Sequence, residues 1–150
     1  MTDVVFYHLT ETSLDEALPV LVERSVARQW RVTIQAADEI ARDRLDTRLW
    51  DYAADSFLPH GRDGDSPEAQ HPIFLTISDQ NQNDSHIRFV VENAALPQSL
   101  EGYERIAIMF DGNDAEAVGQ ARENWKTLKS DGHALTYWKQ SAEGKWERQN

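Results

Sequence analysis

Three times this chain passes from a short β-branched or aromatic run into a longer segment with apolar residues at helical spacing. VVFYHL (4–9) precedes a helical pattern through 14–26, RVTIQA (31–36) precedes 37–52, and ERIAIMFDG (104–112) precedes a segment closing at Gly132. Strand and helix alternating at this pitch predict parallel βαβ units with right-handed crossovers, hence an α/β fold around a mostly parallel sheet. PIFLTI (72–77), HIRFVVEN (86–93) and HALTYWKQ (133–140) supply further strands, and SAEGKWERQN (141–150) reads as a turn and tail. Residues 61–72 and 79–86 read as loops. Nothing repeats and no linker interrupts the pattern, so residues 1–150 form one domain, a size that suits a single core.

The local signals are specific. Ser13 with Glu16 three places on has the spacing of a capping box, and Leu14, Ala17, Leu18, Leu21, Val22, Ser25 and Val26 follow on one helical face. Pro19 interrupts that face. An interior proline loses a backbone bond and clashes with the preceding turn, so the helix is expected to start late or kink. Ala37, Ile40, Ala41, Leu45 and Leu49 make the apolar face of the second helix, and Gly132 is placed to end the third. Trp30, between a helix and a strand, reads as a core or edge residue.

Several chemistries fall away at once. The turn after the first strand, HLTETSL, has no glycine, so the close backbone approach a pyrophosphate needs is missing and no nucleotide cofactor is expected. The chain has no cysteine, which removes disulfides and thiolate metal sites. It has no GxSxG and no HExxH. No apolar run is long enough for a membrane helix, and MTDVVFYHLT lacks a basic secretory start, so the cytoplasm is the expected location.

Acidic residues offer an enzyme reading. His60 lies near Asp63 and Asp65, Asp79 follows the third strand, and Asp111 and Asp114 flank a glycine after the strongest strand. Carboxylates at the ends of parallel strands can meet around a divalent ion, which makes a metal-dependent hydrolase using Asp79 and Asp111 the enzymatic alternative. Aspartate is equally an ordinary turn and cap residue.

Charge points elsewhere. The formal net charge is −11; residues 1–119 carry 9 basic and 22 acidic side chains, a balance of −13, while residues 120–150 carry 6 and 4, a balance of +2. The acidic whole disfavours autonomous nucleic-acid binding, and no basic stripe runs beside the tryptophans. The C-terminal fifth is where an acidic ligand meets least repulsion. There Arg122, Trp125 and Lys129 form a ridge on one helix, with Lys126 four residues from Arg122. Such a ridge can grip a short peptide that is acidic and hydrophobic, or it can be a solvated face with Trp125 packed inward.

The chain also resembles a known family, the chi subunit of the bacterial DNA polymerase III holoenzyme. The likeness rests on FYHL near the start, on Leu49, Trp50, Ala54, Ser56, Phe57, Pro59 and His60, and on ARENWK (121–126) with Gly132 after it. The resemblance implies a Rossmann-like three-layer fold and a non-catalytic accessory subunit of the clamp-loader complex in DNA replication. It implies two partners: the acidic, Phe-terminated tail of single-stranded-DNA-binding protein, and the psi subunit or an equivalent clamp-loader element. Arg122 and Lys126 match the family's tail site, with Trp125 where a tyrosine is common; Lys129 rests on the ridge alone. The psi contact centres on Phe57, with Leu58, Pro59 and His60 beside it, while Leu49 and Trp50 are expected in the core. Contact with DNA is then indirect, through the protein that owns the tail.

Overall fold

The computed structural model describes residues 2–52 and 58–150. In chain order these form β1 (Asp3–Leu9), α1 (Leu14–Ala27), β2 (Val32–Gln35), α2 (Glu39–Asp51), β3 (Gly61–Arg62), a short 3-10 turn (Glu68–Gln70), β4 (Ile73–Thr76), β5 (Ile87–Val91), β6 (Arg105–Asp111), α3 (Ala115–Ser130), β7 (Ala134–Gln140) and β8 (Trp146–Arg148). They build one sheet of eight strands in the order β3-β4-β2-β5-β6-β1-β7-β8. Every neighbouring pair is parallel except β7 with β8. The α/β class and the mostly parallel sheet expected from the alternation are both present.

Strand alternation sorts the side chains into two cores. On β6, Ala107 and Met109 join α1 and α2 residues such as Leu18, Leu21, Leu45 and Leu49. Ile106, Ile108 and Phe110, pointing the other way, join Ala117, Ala121 and Leu128 of α3. On that second side no helix connects β4 to β5. The crossover is a loop over 77–86 whose buried Asn83 and Ser85 bond Thr33, and it lies over a fully buried Arg88. Asn83, Ser85 and Arg88 can lie in this part of the interior because their polar groups find partners.

Several local expectations meet a different outcome. Helix α1 starts at its cap, with the full Ser13–Glu16 capping box, and runs through Pro19. The backbone bond that Pro19 cannot make is the one to the Asp15 carbonyl, and that oxygen instead accepts from Arg48 Nε at 2.7 Å. Helix α2 buries Leu45 and Leu49 but leaves Ile40 84% exposed and Trp50 50% exposed, correcting both as core residues. Trp50 is turned about 100° from Leu49 on the helix, and its ring lies 4.1 Å from His60. The tail is not only a turn. Trp146 packs edge-on against Tyr7 at 5.1 Å and anchors β8 to the sheet. The loop expected at 61–72 likewise contributes β3, paired with β4.

A candidate partner-binding corner

Helix α3 begins at Asp114, whose carboxylate accepts the Glu116 amide, and ends before Gly132, whose positive φ of 86° suits a residue without a Cβ. Between those caps Ala117, Ala121 and Leu128 face the sheet. Trp125 lies on the same side and is half-buried. Its ring stands edge-on to Phe6 at 5.3 Å and to Tyr137 at 5.7 Å. Tyr137 stacks on Phe6 at 6.2 Å, and its hydroxyl lies 2.6 Å from His8 Nδ1. His8 in turn packs on Phe110 at 4.8 Å. Five rings from β1, β6, α3 and β7 thus form one cluster at the corner of the sheet.

Cations rim this cluster. Burial first, then Lys139 and Arg122, push His8 below its ordinary 6.5 against the pulls of a Gly112 backbone bond and Asp111. The ring is therefore neutral at pH 7. Burial raises the Tyr137 phenol while Arg122 acts to lower it. Arg122 and Lys129 are exposed and have no ion pair among the described residues. Lys126 Nζ lies 3.7 Å from Glu123, but both side chains are more than two-thirds exposed, so the pair holds Lys126 only loosely. Of the four residues singled out on α3, the structure brings Arg122 and Trp125 to the ring cluster. His8, Tyr137 and Lys139 are further members that sequence reasoning missed. Their only linear signal is alternation within two strands 130 residues apart, and strand register alone sets His8 opposite Lys139.

Gly112 closes the floor of the corner. A Cβ there would strike the His8 ring and lie 2.7 Å from the Leu9 carbonyl, the same oxygen that accepts the Gly112 amide at 2.6 Å. Gly112→Ala is expected to cost about 1–3 kcal/mol, typical of overpacking, and to move His8 away from Tyr137. Thermal denaturation and an NMR titration of His8 check this; an unchanged midpoint with an unshifted imidazole would refute it.

The second segment of interest is only partly described. Phe57 lies outside the described residues. Leu58 is buried, Pro59 is exposed, and His60 is buried with Nδ1 2.6 Å from the Leu58 carbonyl and Nε2 3.1 Å from Asp46 Oδ1. The acids considered for a metal each have local hydrogen-bond partners. Asp79 follows β4 and Asp111 ends β6, with β2 and β5 between them. Asp79 accepts from Gln80 Nε2 and Asp111 from the Asn113 amide, both at 2.9 Å, so each carboxylate has a local partner. Asp63 is instead a structural carboxylate, accepting from Thr76 Oγ1 at 2.7 Å and from the Ile77 amide at 3.0 Å. Asp114 is a cap. No group of three or more histidine and acidic side chains among the described residues is arranged to hold a metal, and no described helix is long and apolar enough to cross a membrane.

Comparison with known proteins gives a consistent result. A family model described as "DNA polymerase III chi subunit, HolC" matches residues 1–136. A Pseudomonas aeruginosa protein named DNA polymerase III subunit chi is 27% identical over 139 residues, covering 90% of this chain and 94% of its own length. The subunit of the same name from Escherichia coli is 36% identical over 80 residues, 49% of this chain and 54% of that one. A Rickettsia prowazekii protein, named as a probable chi subunit, is 25% identical over 108 residues, 72% of this chain and 66% of that one.

Proposed function

The chain belongs to the DNA polymerase III chi-subunit family, and from that premise we propose that it is a non-catalytic, cytoplasmic adapter of the replication machinery. Its α3 corner receives the acidic, Phe-terminated tail of single-stranded-DNA-binding protein, and the segment around Phe57 contacts psi or an equivalent clamp-loader element. The observation that carries the tail site is the Arg122 guanidinium, without an ion pair among the described residues, beside the half-buried Trp125 and Tyr137 rings that pack on the buried Phe6. A tail ending in carboxylates and a phenylalanine matches that pairing of cation and aromatic wall. Lys126 and Lys129 add charge at the rim. At the second contact, exposed Pro59 and half-exposed Trp50 are the accessible groups, while buried Leu58 and His60 support the segment from beneath. Helices packed in two separate cores on either side of the sheet support a Rossmann-like, three-layer reading of the architecture.

Titration with a short peptide ending in acidic residues and Pro-Phe tests the tail site, followed by calorimetry and tryptophan fluorescence. Wild-type protein is expected to bind saturably and more weakly as salt rises. Losing a charge-assisted bond is worth about 1.5–3 kcal/mol, so Arg122→Ala should weaken binding by roughly ten- to a hundredfold. Lys126→Ala should cost less, because its ammonium is solvated. Binding that is absent at low salt, or indifferent to Arg122, removes the tail role.

A further inference from the structure

Eleven arginines occur in this acidic chain. Arg31, Arg42, Arg44, Arg48, Arg62 and Arg88 each spend their guanidinium on carboxylates or on neutral oxygens such as backbone carbonyls. Arg122 belongs to the corner described above. The remaining four, Arg24, Arg28, Arg105 and Arg148, have no ion pair to a carboxylate among the described residues. They come from α1, β6 and β8, yet they gather on one side of the sheet. That side is the α1 side, opposite the α3 corner.

Two adjoining clefts connect them. One, of about 440 Å³, is lined by Arg24, Arg105, Arg148, Tyr7, Trp138 and Trp146; Asp3 is its single carboxylate. The other, of about 220 Å³, shares Tyr7, Arg24 and Arg105 and adds Arg28. Arg105 Nε is buried without a hydrogen-bond partner among the described residues, an uncommon and costly state for a charged group. The guanidinium carbons of Arg28 and Arg105 lie 3.9 and 5.3 Å from the centre of the Trp30 ring. Burial raises the Tyr7 phenol, and the opposing influences are three cations, Arg105, Arg24 and Arg28, with no carboxylate among them. Beyond this anion seat, Trp138 and Trp146 stand on the outer strands β7 and β8, with Arg148 directly opposite Trp138. The Trp138 ring has no aromatic neighbour among the described residues.

We propose that this face binds single-stranded nucleic acid directly, with Arg24, Arg28 and Arg105 holding phosphate and Trp138 and Trp146 stacking bases under Arg148. The spacing favours a repeating anion. From β6 to β8 the cations and indoles span three strand spacings, roughly 14 Å, which one carboxylate or one phosphate cannot bridge. Flat rings alternating with charge are the arrangement that tracks an unpaired strand, whereas a duplex keeps its bases stacked away from the protein. The net charge of −11 is no bar at physiological salt, where charges more than about 8 Å apart are largely screened and local sign decides. Contact through a partner's tail and contact through this face are separate, since the two lie on opposite sides of the sheet.

Fluorescence anisotropy of a labelled oligothymidylate of about 15 nucleotides, the upper range for one small binding domain, tests this at low and moderate salt. Wild-type protein should bind at low salt, quench its own tryptophan emission, and lose affinity steeply as salt rises. The double variant Arg24→Glu/Arg148→Glu, at two exposed positions, should bind at least tenfold more weakly, and Trp138→Ala should lose part of the quench, the remainder coming from Trp146. Arg122→Ala should bind the oligonucleotide as wild type does. Circular dichroism of each variant separates lost binding from lost folding, and a variant that fails to fold is replaced by Arg24→Gln/Arg148→Gln. Absence of saturable binding at low salt overturns the proposal, as does equal binding by the charge variants. So does displacement of the oligonucleotide by an acidic peptide whose own binding depends on Arg24 and Arg148, which would make this a peptide site.

Discussion

Replacing Arg88 with alanine is expected to remove about 3–5 kcal/mol of stability, the range seen when one member of a buried polar network is deleted. Arg88 is completely buried, yet it makes no ion pair among the described residues. Its Nε donates to Gln35 Oε1 at 3.0 Å, and Nη1 donates to the Gln80 carbonyl at 3.1 Å and to the Tyr103 hydroxyl at 3.0 Å. Nη2 donates to the Ser78 carbonyl. Alanine strands these acceptors in the interior and leaves a cavity the size of the lost chain. The same bonds clamp the 77–86 crossover to the sheet, so its amides should exchange faster in the variant. Tyr103→Phe removes a single partner and should cost about 1 kcal/mol. Urea denaturation measures both; a loss below about 1 kcal/mol for Arg88→Ala would mean the network contributes little beyond its packing.

Asp63→Ala is expected to cost about 2–4 kcal/mol, because four donors lose a shared acceptor at once. Burial alone would raise this carboxyl. Bonds from Thr76, the Ile77 amide, Gln82 and Arg42 outweigh it and hold the group below its ordinary 3.8. Gln82 Nε2 and Arg42 Nη1 donate at 3.2 and 3.1 Å. A carboxyl held low in the folded state binds its proton more readily when unfolded. Its contribution is thus complete above pH 3.8 and is lost as pH falls through the lower folded value. Asp63→Asn should therefore be less stable than wild type at pH 7 and lose less than wild type on acidification below 3.8. Parallel acid-denaturation curves for the two proteins would contradict that assignment.

These carboxylates and arginines show where linear reading stops. Asp63 and His60, close in sequence, suggested a site, but the fold turns one toward the β4 end and buries the other against Asp46. Ile40 fits the helical face of α2 by spacing, yet it falls in the first turn, beyond the reach of the sheet, and stays in solvent. Pro19 argued for a late or kinked helix because spacing could not show that Arg48, 29 residues later, would occupy the orphaned carbonyl. The cap at Ser13 and the end at Gly132 were legible, since each depends on residues within a few places of one another.

The alternation of the main strands and helices, the parallel class of the sheet, the Ser13 cap, the end at Gly132 and the acidic character were thus determined by sequence alone, most of them through interactions spanning a turn or two. Membership of the family was legible in the same way, from short ordered motifs. Tertiary structure decided which dispersed residues meet. It set His8 beside Tyr137 and Lys139 and brought Arg24, Arg105 and Arg148 to one face. The reason is the two-residue period of the strand: each side chain's face follows from register, and register is set by the whole sheet rather than by its neighbours in the chain.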